Sequence, residues 1–453
     1  MKSKSEKSVV IVGGGLVGSM AACMFARKQY KIDIYEARGD MRQSNISAGK
    51  SINLALSVRG REALRRIGLE EKLLSHGIPM RARMIHTVDG KLNQIPYDPV
   101  HNQCIYSVSR KFLNEALLTE LEQYPNCSIH FHHKMTKLDV DSGNLTFSKK
   151  SGDETLIEVN ASEQQLIIGA DGAHSGVRKC LMSQPRFDFS QTYIEHGYLE
   201  LCIPPSDDGN YQMEPNFLHI WPRGTFMMIA LPNQDRSWTV TLFMPFDNFA
   251  QLQTPEKLVD FFNTTFPDSV PLIGVDKLVK DFFSRKASPL ISIKCHPYHK
   301  NNKILILGDA AHAMVPFYGQ GMNAGFEDCC VLDDLMDELE EDFALVLPKF
   351  TEVRHTDAQM ICDLAMYNYI EMRDLVTKSS FLWRKRLDSF LFSIFPNFWV
   401  PLYNAVTFSR LPYRVCVQHK EFQDKIIRSV VTGSCIVLGL VILYLIIGFI
   451  FFE

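Results

Sequence analysis

Two apolar runs that lie far apart along the chain each lead into a glycine-rich turn and then into a helical pattern. The first run is VVIV at 9–12, and Gly13, Gly15 and Gly18 follow before a helical segment that begins near Ser19. An unbroken apolar run is typical of a strand buried on both faces of a parallel sheet. The pattern therefore predicts a strand, a turn and a helix in succession, with a second strand over 32–36 that ends at Glu36.

The three glycines predict a turn that binds a dinucleotide. In such a turn one glycine makes the tight bend, one lets the backbone approach a pyrophosphate, and one lets the helix pack on the strand. The first turn of the helix offers unpaired N–H groups and a partial positive charge to the phosphates. Glu36 follows at about the distance at which a carboxylate binds an adenosine ribose.

The second run, ILIL at 304–307, leads into Gly308 and Asp309, and Gly321, Met322 and Asn323 follow at the start of a helical pattern. A third apolar run at 166–169 leads into Asp171. We expect the first and second segments to hold one cofactor between them.

Residues 186–296 alternate between apolar and polar positions, as in FMMIAL at 226–231, and prolines punctuate the pattern. Alternation predicts a mostly antiparallel sheet with one face toward solvent or toward a site. The predicted fold class is α/β, with a discontinuous Rossmann-like domain and an inserted sheet domain. The predicted boundaries are 8–185 and 297–345 for a cofactor domain, 186–296 for a substrate-binding sheet domain, 346–425 for a helical region and 429–452 for a transmembrane helix.

The last predicted element is a membrane anchor. Residues 429–452 contain no charged side chain. As a helix this segment is about 36 Å long, which is enough for a hydrocarbon core about 30 Å thick. Lys420, Lys425 and Arg428 precede it, so the positive-inside rule predicts that the large domain faces the cytosol.

Composition narrows the function classes. The net charge is −3 and the pI is about 6.5, which argues against binding of nucleic acid. The 11 cysteines form neither a CxxC pair nor a Cys/His cluster, so we expect reduced cysteines and no metal site. His312 and the pair His132–His133 are expected to pack or to contact backbone, with the pair on opposite faces of a strand.

Three motifs together resemble those of the single-component FAD-dependent aromatic-ring hydroxylases: Gly13-x-Gly15-x-x-Gly18, Asp171-Gly172, and Gly308-Asp309 with Gly321. Further segments resemble the kynurenine 3-monooxygenase family among them: PMRARMIH at 79–86, HIWPR at 219–223, GQGMNAGFED at 319–328 and MYNYIEMR at 366–373. The similarity extends from about residue 8 to the apolar C-terminal run.

This resemblance implies bound FAD, NADPH as the co-substrate and O2. It implies that Asp171 contacts both FAD and the passing NADPH, that Asp309 holds the ribityl chain, and that Gly321 to Asn323 lie beside the isoalloxazine at a helix N-terminus. The implied cofactor-binding residues are Gly13, Gly15, Val17, Gly18, Tyr35, Glu36, Ala37, Arg38, Ala55, Arg110, Met135, Asp171, Asp309, Gly321, Met322 and Asn323.

The resemblance also implies a substrate, L-kynurenine, and its hydroxylation to 3-hydroxykynurenine in tryptophan catabolism, with a flavin C4a-hydroperoxide as the hydroxylating species. The implied substrate contacts are Arg83, Tyr97, Asn368 and Tyr403. A guanidinium and a phenol suit a carboxylate, because one offers a fork of donors and the other a directional hydrogen bond. No side chain is assigned as an acid or base, since the cofactor carries the chemistry. Strands at 218–221 and 226–231 are candidates for a water-excluding wall, and the aromatic stretch 381–403 for that wall, for core packing or for membrane contact.

Two rival functions are considered. A membrane-anchored flavin epoxidase or hydroxylase of a lipid or quinone would explain the anchor, but such a substrate offers no carboxylate to Arg83. A non-catalytic binding protein of the Rab-escort type would keep the fold without the chemistry, and the intact Gly308-Asp309 motif argues against it. The family resemblance implies the mitochondrial outer membrane, with the endoplasmic reticulum as the alternative.

Overall fold

The computed structural model of the protein describes residues 7–43, 53–151, 153–160 and 166–452. Its strands are β1 Ser8–Val12, β2 Lys31–Tyr35, β3 Asn53–Leu56, β4 Ile78–Met80, β5 Ala82–His86, β6 Leu92–Pro96, β7 Ile105–Ser109, β8 Cys127–His130, β9 His133–Leu138, β10 Leu145–Ser151, β11 Asp153–Val159, β12 Leu166–Gly169, β13 Asp188–Ile203, β14 Phe217–Pro222, β15 Met227–Pro232, β16 Trp238–Pro245, β17 Ser288–His296, β18 His299–Lys300 and β19 Ile304–Ile306.

The α-helices are α1 Leu16–Arg27, α2 Val58–Arg66, α3 Glu70–Ser75, α4 Arg110–Leu121, α5 Gly176–Leu181, α6 Phe246–Gln251, α7 Pro255–Thr265, α8 Val270–Ile273, α9 Val275–Phe283, α10 Asp309–His312, α11 Gly321–Glu338, α12 Phe343–Arg373, α13 Ser379–Ile394, α14 Leu402–Phe408 and α15 Tyr413–Phe452.

A six-stranded sheet in the order β18-β19-β12-β1-β2-β8 forms the first half of the fold. β1 pairs in parallel with β2 and β12, and β12 pairs in parallel with β19. All five residues of β1 are buried, as the unbroken apolar run predicts for a central parallel strand. The chain therefore returns to this sheet at β19, which confirms the discontinuous Rossmann-like fold.

A seven-stranded sheet in the order β17-β13-β16-β15-β14-β5-β6 forms the second half. Its neighbours are antiparallel except β14 and β5, so the mostly antiparallel character is confirmed. β5 and β6 come from residues 82–96, outside the predicted range 186–296, which makes the sheet wider than that range. The domain boundaries themselves stay a prediction.

Residues 246–283 form four helices, α6 to α9, where the sequence analysis predicted sheet. One apolar side of α7 and α9 packs on the seven-stranded sheet, with Leu258, Phe262, Leu278 and Phe282 in a shared core. Opposite that core, α12 closes the other face of the sheet through a second cluster that includes Ala365 and Tyr369. The site lies on this second face. The expected placement of His132–His133 on one strand is wrong, because His132 has a φ of +61° in a turn and only His133 belongs to β9. The expected backbone contact is confirmed for His133, whose Nδ1 lies 2.6 Å from the Phe131 carbonyl oxygen.

Among the described residues, one helix is long and apolar enough to cross a membrane: α15, over Tyr413–Ile442. The helix begins well before the charge-free run at 429, and no residue in its most apolar stretch is buried. A C-terminal helix with these properties is suited to membrane anchoring.

Candidate active site

A cavity of about 1220 Å³ connects the carboxyl ends of β1, β2 and β12 with the inner face of the seven-stranded sheet. Its walls include all of the predicted substrate contacts and all of the predicted cofactor contacts except Gly18 and Asn323: Arg83, Tyr97, Asn368 and Tyr403, and Gly13, Gly15, Val17, Tyr35, Glu36, Ala37, Arg38, Ala55, Arg110, Met135, Asp171, Asp309, Gly321 and Met322. The two sets therefore share one continuous space.

The turn after β1 is built from glycines for three different reasons. Gly13 has a φ of +107°, and a Cβ on it would lie 2.5 Å from the Ala170 carbonyl oxygen. A Cβ on Gly18 would lie 1.9 Å from the carbonyl oxygen of Gly13, so this glycine lets α1 pack against the turn. Gly15 is different, because a Cβ there would meet no atom within 4 Å and the residue lines the cavity. The open space beside Gly15 at the start of α1 suits a phosphate.

Replacing Gly15 with alanine is expected to weaken FAD binding and to leave the apoprotein folded. The φ of Gly15 is −75°, which alanine adopts readily, so the methyl group would enter only the cavity. Overpacking costs about 1–3 kcal/mol, which corresponds to a roughly 5- to 150-fold higher Kd for FAD. Titration of the apoprotein with FAD measures this. Gly13→Ala is the comparison, because it should lower the free energy of unfolding of the apoprotein itself. An unchanged Kd for FAD in Gly15→Ala would contradict the phosphate site.

Glu36 is held in place at the end of β2. Its Oε2 accepts a hydrogen bond from the Gly14 N–H at 2.8 Å, and its Oε1 accepts from Arg38 Nε at 2.8 Å. Burial alone would raise the pKa of Glu36, but the Arg38 side chain and the backbone donors lower it overall. Oε1 also accepts the Arg38 backbone N–H at 2.9 Å. The carboxylate is therefore charged and oriented, and Oε2 has a lone pair left for a ribose hydroxyl.

Asp171 caps the turn after β12. Its Oδ2 accepts from the Gly176 N–H at 2.6 Å, whereas its buried Oδ1 has no hydrogen-bond partner within the described residues. Met135 lies close to Gly176, and both line the cavity. A buried acceptor without a donor is costly, so Asp171 is ready for a donor supplied by a ligand.

The second half of the cofactor region comes from the turns after β19. Asp309 begins α10, and burial raises the pKa of its carboxyl while Arg110 opposes that rise. α11 begins at Gly321, and Gly321 and Met322 line the cavity at the positive end of this helix. Asn323 lies behind the wall, where its Nδ2 donates to the carbonyl oxygens of Ala55 and Gly319, each at 2.8 Å. The structure thus places Asn323 so that it fastens β3 to α11.

A buried charge network supports these turns. Arg354 of α12 donates from Nε to Asp328 Oδ1 at 2.9 Å and also pairs with Glu327 and Asp357. Asp328 Oδ2 accepts from the Gly308 N–H at 2.9 Å and contacts His312 Nε2 at 2.6 Å. Burial alone would raise the pKa of Asp328, but His312 and Arg354 lower it, so the carboxylate stays charged. His312 does not line the cavity.

The predicted substrate contacts converge at the opposite end of the cavity. Arg83 of β5 is only 2% exposed, and its Nη2 donates to Asn368 Oδ1 at 3.3 Å. The guanidinium lies 4.8 Å from the Tyr403 ring, which stacks on the Tyr97 ring at 5.1 Å. The buried Tyr97 hydroxyl has no hydrogen-bond partner in the described part of the chain. These groups offer a charged donor and an unused hydroxyl to a ligand.

Glu371 is the residue of this cluster that the sequence analysis missed. Its Oε1 accepts from Arg83 Nη1 at 2.5 Å, and Lys385 Nζ of α13 lies 3.9 Å away. Burial alone would raise the pKa of Glu371, but Arg83 and then Lys385 lower it. Burial lowers the pKa of Lys385 to about 8, although Glu371 opposes the change. Glu371 follows Asn368 by three positions on one helix face, and this spacing was the available signal.

The middle of the cavity is apolar. The strands expected to form a dry wall contribute Leu218, Ile229 and Leu231, and Phe243 and Phe317 extend that wall. From the aromatic stretch 381–403, only Tyr403 lines the cavity. The wall therefore comes from the sheet and from the turn before α11.

The described residues fit FAD, since the open space at Gly15, the oriented Glu36 and the unpaired Asp171 Oδ1 lie along one wall. The family described as "FAD binding domain" matches residues 6–342. Kynurenine 3-monooxygenase of Anopheles gambiae is 58% identical over 94% of this chain and 87% of its own length, and that of Sus scrofa is 50% identical over 93% and 88%.

The chain belongs to the kynurenine 3-monooxygenase family.

The fold of this member of the kynurenine 3-monooxygenase family is also found in more distant proteins of known structure. The tetrameric form of 2-methyl-3-hydroxypyridine-5-carboxylic acid oxygenase superposes with a TM-score of 0.65 at 18% identity, over 85% of this chain and 97% of its own. At this identity the similarity concerns the fold. The FAD-dependent monooxygenase fold and FAD as the cofactor are therefore assigned to this chain.

Proposed function

We propose that this protein hydroxylates L-kynurenine to 3-hydroxykynurenine with NADPH and O2. The observation that carries the proposal is the cluster of Arg83, Tyr97, Asn368 and Tyr403 in the same cavity as the cofactor turns. When bound, FAD supplies the redox chemistry, taking electrons from NADPH and activating O2. The described side chains bind the substrate, orient it and exclude water.

The charges at the substrate end suit an amino acid. Arg83 presents a cation beside the Glu371 anion, and a zwitterion carries the complementary α-carboxylate and α-ammonium groups. The nearby Lys385 leaves the three side chains with a net positive charge when it is protonated. A lipid or quinone offers no such pair of charges, which favours the amino acid over the lipid-type substrate.

The apolar wall then positions the aromatic ring. If the α-carboxylate lies at Arg83, the ring extends toward Leu218, Ile229 and Phe317. The ring then lies between Arg83 and the start of α11. Holding a ring in a fixed orientation lowers the entropic part of a reaction barrier. The same apolar surface keeps water from the reacting atoms.

Turnover of the purified full-length protein tests the function. We expect a yellow protein whose NADPH consumption rises with L-kynurenine and whose product has gained one oxygen atom. Kynuramine lacks the carboxylate and N-acetyl-L-kynurenine lacks the α-ammonium charge, so both should be poor substrates. Stimulation by a sterol precursor and not by kynurenine would support the lipid-type rival, and a colourless protein would support the non-catalytic one.

The location is part of the same proposal. Anchoring by α15 is supported by its length and apolar composition, and Lys420, Lys425 and Arg428 precede the charge-free run. These cations favour a catalytic body in the cytosol. We place the anchor in the mitochondrial outer membrane, and fractionation with added protease should find the body digested from outside intact mitochondria. Recovery with endoplasmic reticulum membranes would contradict that assignment.

A further inference from the structure

Helix α13 exposes an apolar face. Trp383, Leu387, Phe390 and Ile394 are all exposed, with Trp383 at 68% and Phe390 at 59%. Because a helix turns about 100° per residue, these four positions fall within about 60° of one another on its circumference. We call them the α13 face.

The α13 face continues onto α15. Phe398, which follows α13, is 60% exposed and packs edge-on against the exposed Phe422 of α15, with ring centroids 6.0 Å apart. Arg384 of α13 pairs with Asp424 of α15 at 2.8 Å. Ring and ion-pair contacts therefore fix α13 beside the start of the anchor.

The position of this contact defines a depth. A helix rises 1.5 Å per residue, so Asp424 lies about 7.5 Å from residue 429, where the charge-free run begins. The headgroup layer on each side of a bilayer is roughly 5–8 Å thick. When 429–452 occupies the hydrocarbon core, Arg384 of α13 is therefore held near the level of the headgroups.

We propose that the α13 face docks on the surface of the phospholipid bilayer that α15 enters. The docking rests on the proposed anchoring by α15 and goes beyond it. On the opposite side of α13 Phe392 is buried in the protein, and Arg384 and Arg386 flank the exposed stripe. An exposed apolar stripe flanked by arginines suits a helix that lies in a membrane interface. Tryptophan prefers that interface, and Arg386 lies 5.4 Å from the Trp383 ring, where it extends toward lipid phosphates. The bilayer thus covers a surface that nothing else in the described chain covers.

Fluorescence of the full-length holoenzyme in liposomes tests the docking. The chain has four tryptophans, of which Trp221, Trp238 and Trp399 are buried and Trp383 is exposed. Phosphatidylcholine brominated near the headgroup should quench most of the Trp383 emission, and aqueous iodide should lose its access to it. The Trp383→Phe variant supplies the background from the other three. The docking is wrong if the enzyme sediments with the liposomes while iodide still quenches the Trp383 emission and the bromolipid does not. The proposed anchoring by α15 would stand in that case.

Matched variants separate docking from folding and from anchoring. The double variant Leu387→Glu, Phe390→Glu should lose bromolipid quenching, keep its FAD absorbance and still sediment with liposomes. Leu345→Glu, which places a charge at an exposed leucine of α12 outside the α13 face, should keep the quenching. If neither quencher reaches Trp383 and cross-linking detects a dimer, a second copy of the chain covers the α13 face, and the proposed docking on the bilayer is wrong. Enzyme that stays in the supernatant would contradict the anchor and the docking together.

Discussion

Replacing Arg83 with alanine is expected to raise the KM for L-kynurenine about 10- to 150-fold, the equivalent of about 1.5–3 kcal/mol for a lost charged hydrogen bond. The upper part of this range is expected because the change also removes the nearer of the two cations beside Glu371 and leaves Lys385 at 3.9 Å, so the charge of Glu371 would then face the substrate carboxylate. FAD absorbance should persist, since Arg83 belongs to the substrate end of the cavity. Steady-state kinetics with a parallel measurement of FAD content checks both results.

Two variants make this result specific. Arg81→Ala removes an exposed arginine two positions earlier, whose Nη1 donates to the Asn102 carbonyl oxygen at 3.2 Å, and its KM should be unchanged. Combining Arg83→Ala with Glu371→Gln also removes the negative charge that would face the substrate carboxylate, so the double variant should regain part of the lost affinity. If the KM for L-kynurenine is unchanged in Arg83→Ala, Arg83 does not bind the substrate carboxylate.

The parts of the site that depend on local sequence were predictable. Gly13 is required by its φ of +107° and Gly18 by its contact with the Gly13 carbonyl oxygen, both within one strand-turn-helix unit that has a recognisable spacing. The return of the chain at β19 was predictable because a second apolar run leads into a similar turn. The substrate residues Arg83 and Asn368 were implied by family resemblance and by no local pattern.

The parts that depend on distant contacts were not predictable. Arg83 and Glu371 are 288 residues apart, and no pattern along the chain joins them. The side-chain amide of Asn323 donates to the backbone of Ala55 and Gly319. Only the packing of β3 against α11 brings these groups together, whereas the predicted cofactor contact of the Asn323 backbone stays a prediction.

One error was avoidable. Thr254 followed by Pro255 is a helix start signal, and the Thr254 side chain caps α7. Leu258 and Phe262 then follow at a helical spacing. Because strand-like alternation dominates the flanking residues, the sheet was extended across a segment whose own signals indicate helices.

The substrate end and the proposed membrane surface are joined by one helix. α13 carries the exposed Trp383 on one side and Lys385 toward Glu371 on the other. A displacement of α13 would therefore change the distance between Lys385 and the Arg83–Glu371 pair. The proposed membrane contact and the Arg83–Glu371 pair are thus connected through α13.

Replacing Arg354 with methionine is expected to lower the free energy of unfolding by about 3–5 kcal/mol, the cost of removing one partner from a buried ion pair. Arg354 is 2% exposed, and its loss would leave Asp328 and Asp357 buried without their cation. Asp328 accepts the Gly308 N–H, so the turn before Asp309 should loosen and FAD should dissociate more readily. Urea unfolding, followed with the FAD content of the same sample, measures both effects.

Lys349→Met is the control for this prediction, since it removes a cation from the same helix. Lys349 and its partner Glu352 are 46% and 70% exposed, and an exposed pair contributes about 0–1 kcal/mol. The difference between the two variants isolates the effect of burial from the effect of charge. If Arg354→Met unfolds at the same urea concentration as Lys349→Met and retains its FAD, the buried charge network around Arg354 does not hold the Gly308 turn. The support for the cofactor must then come from the strands alone.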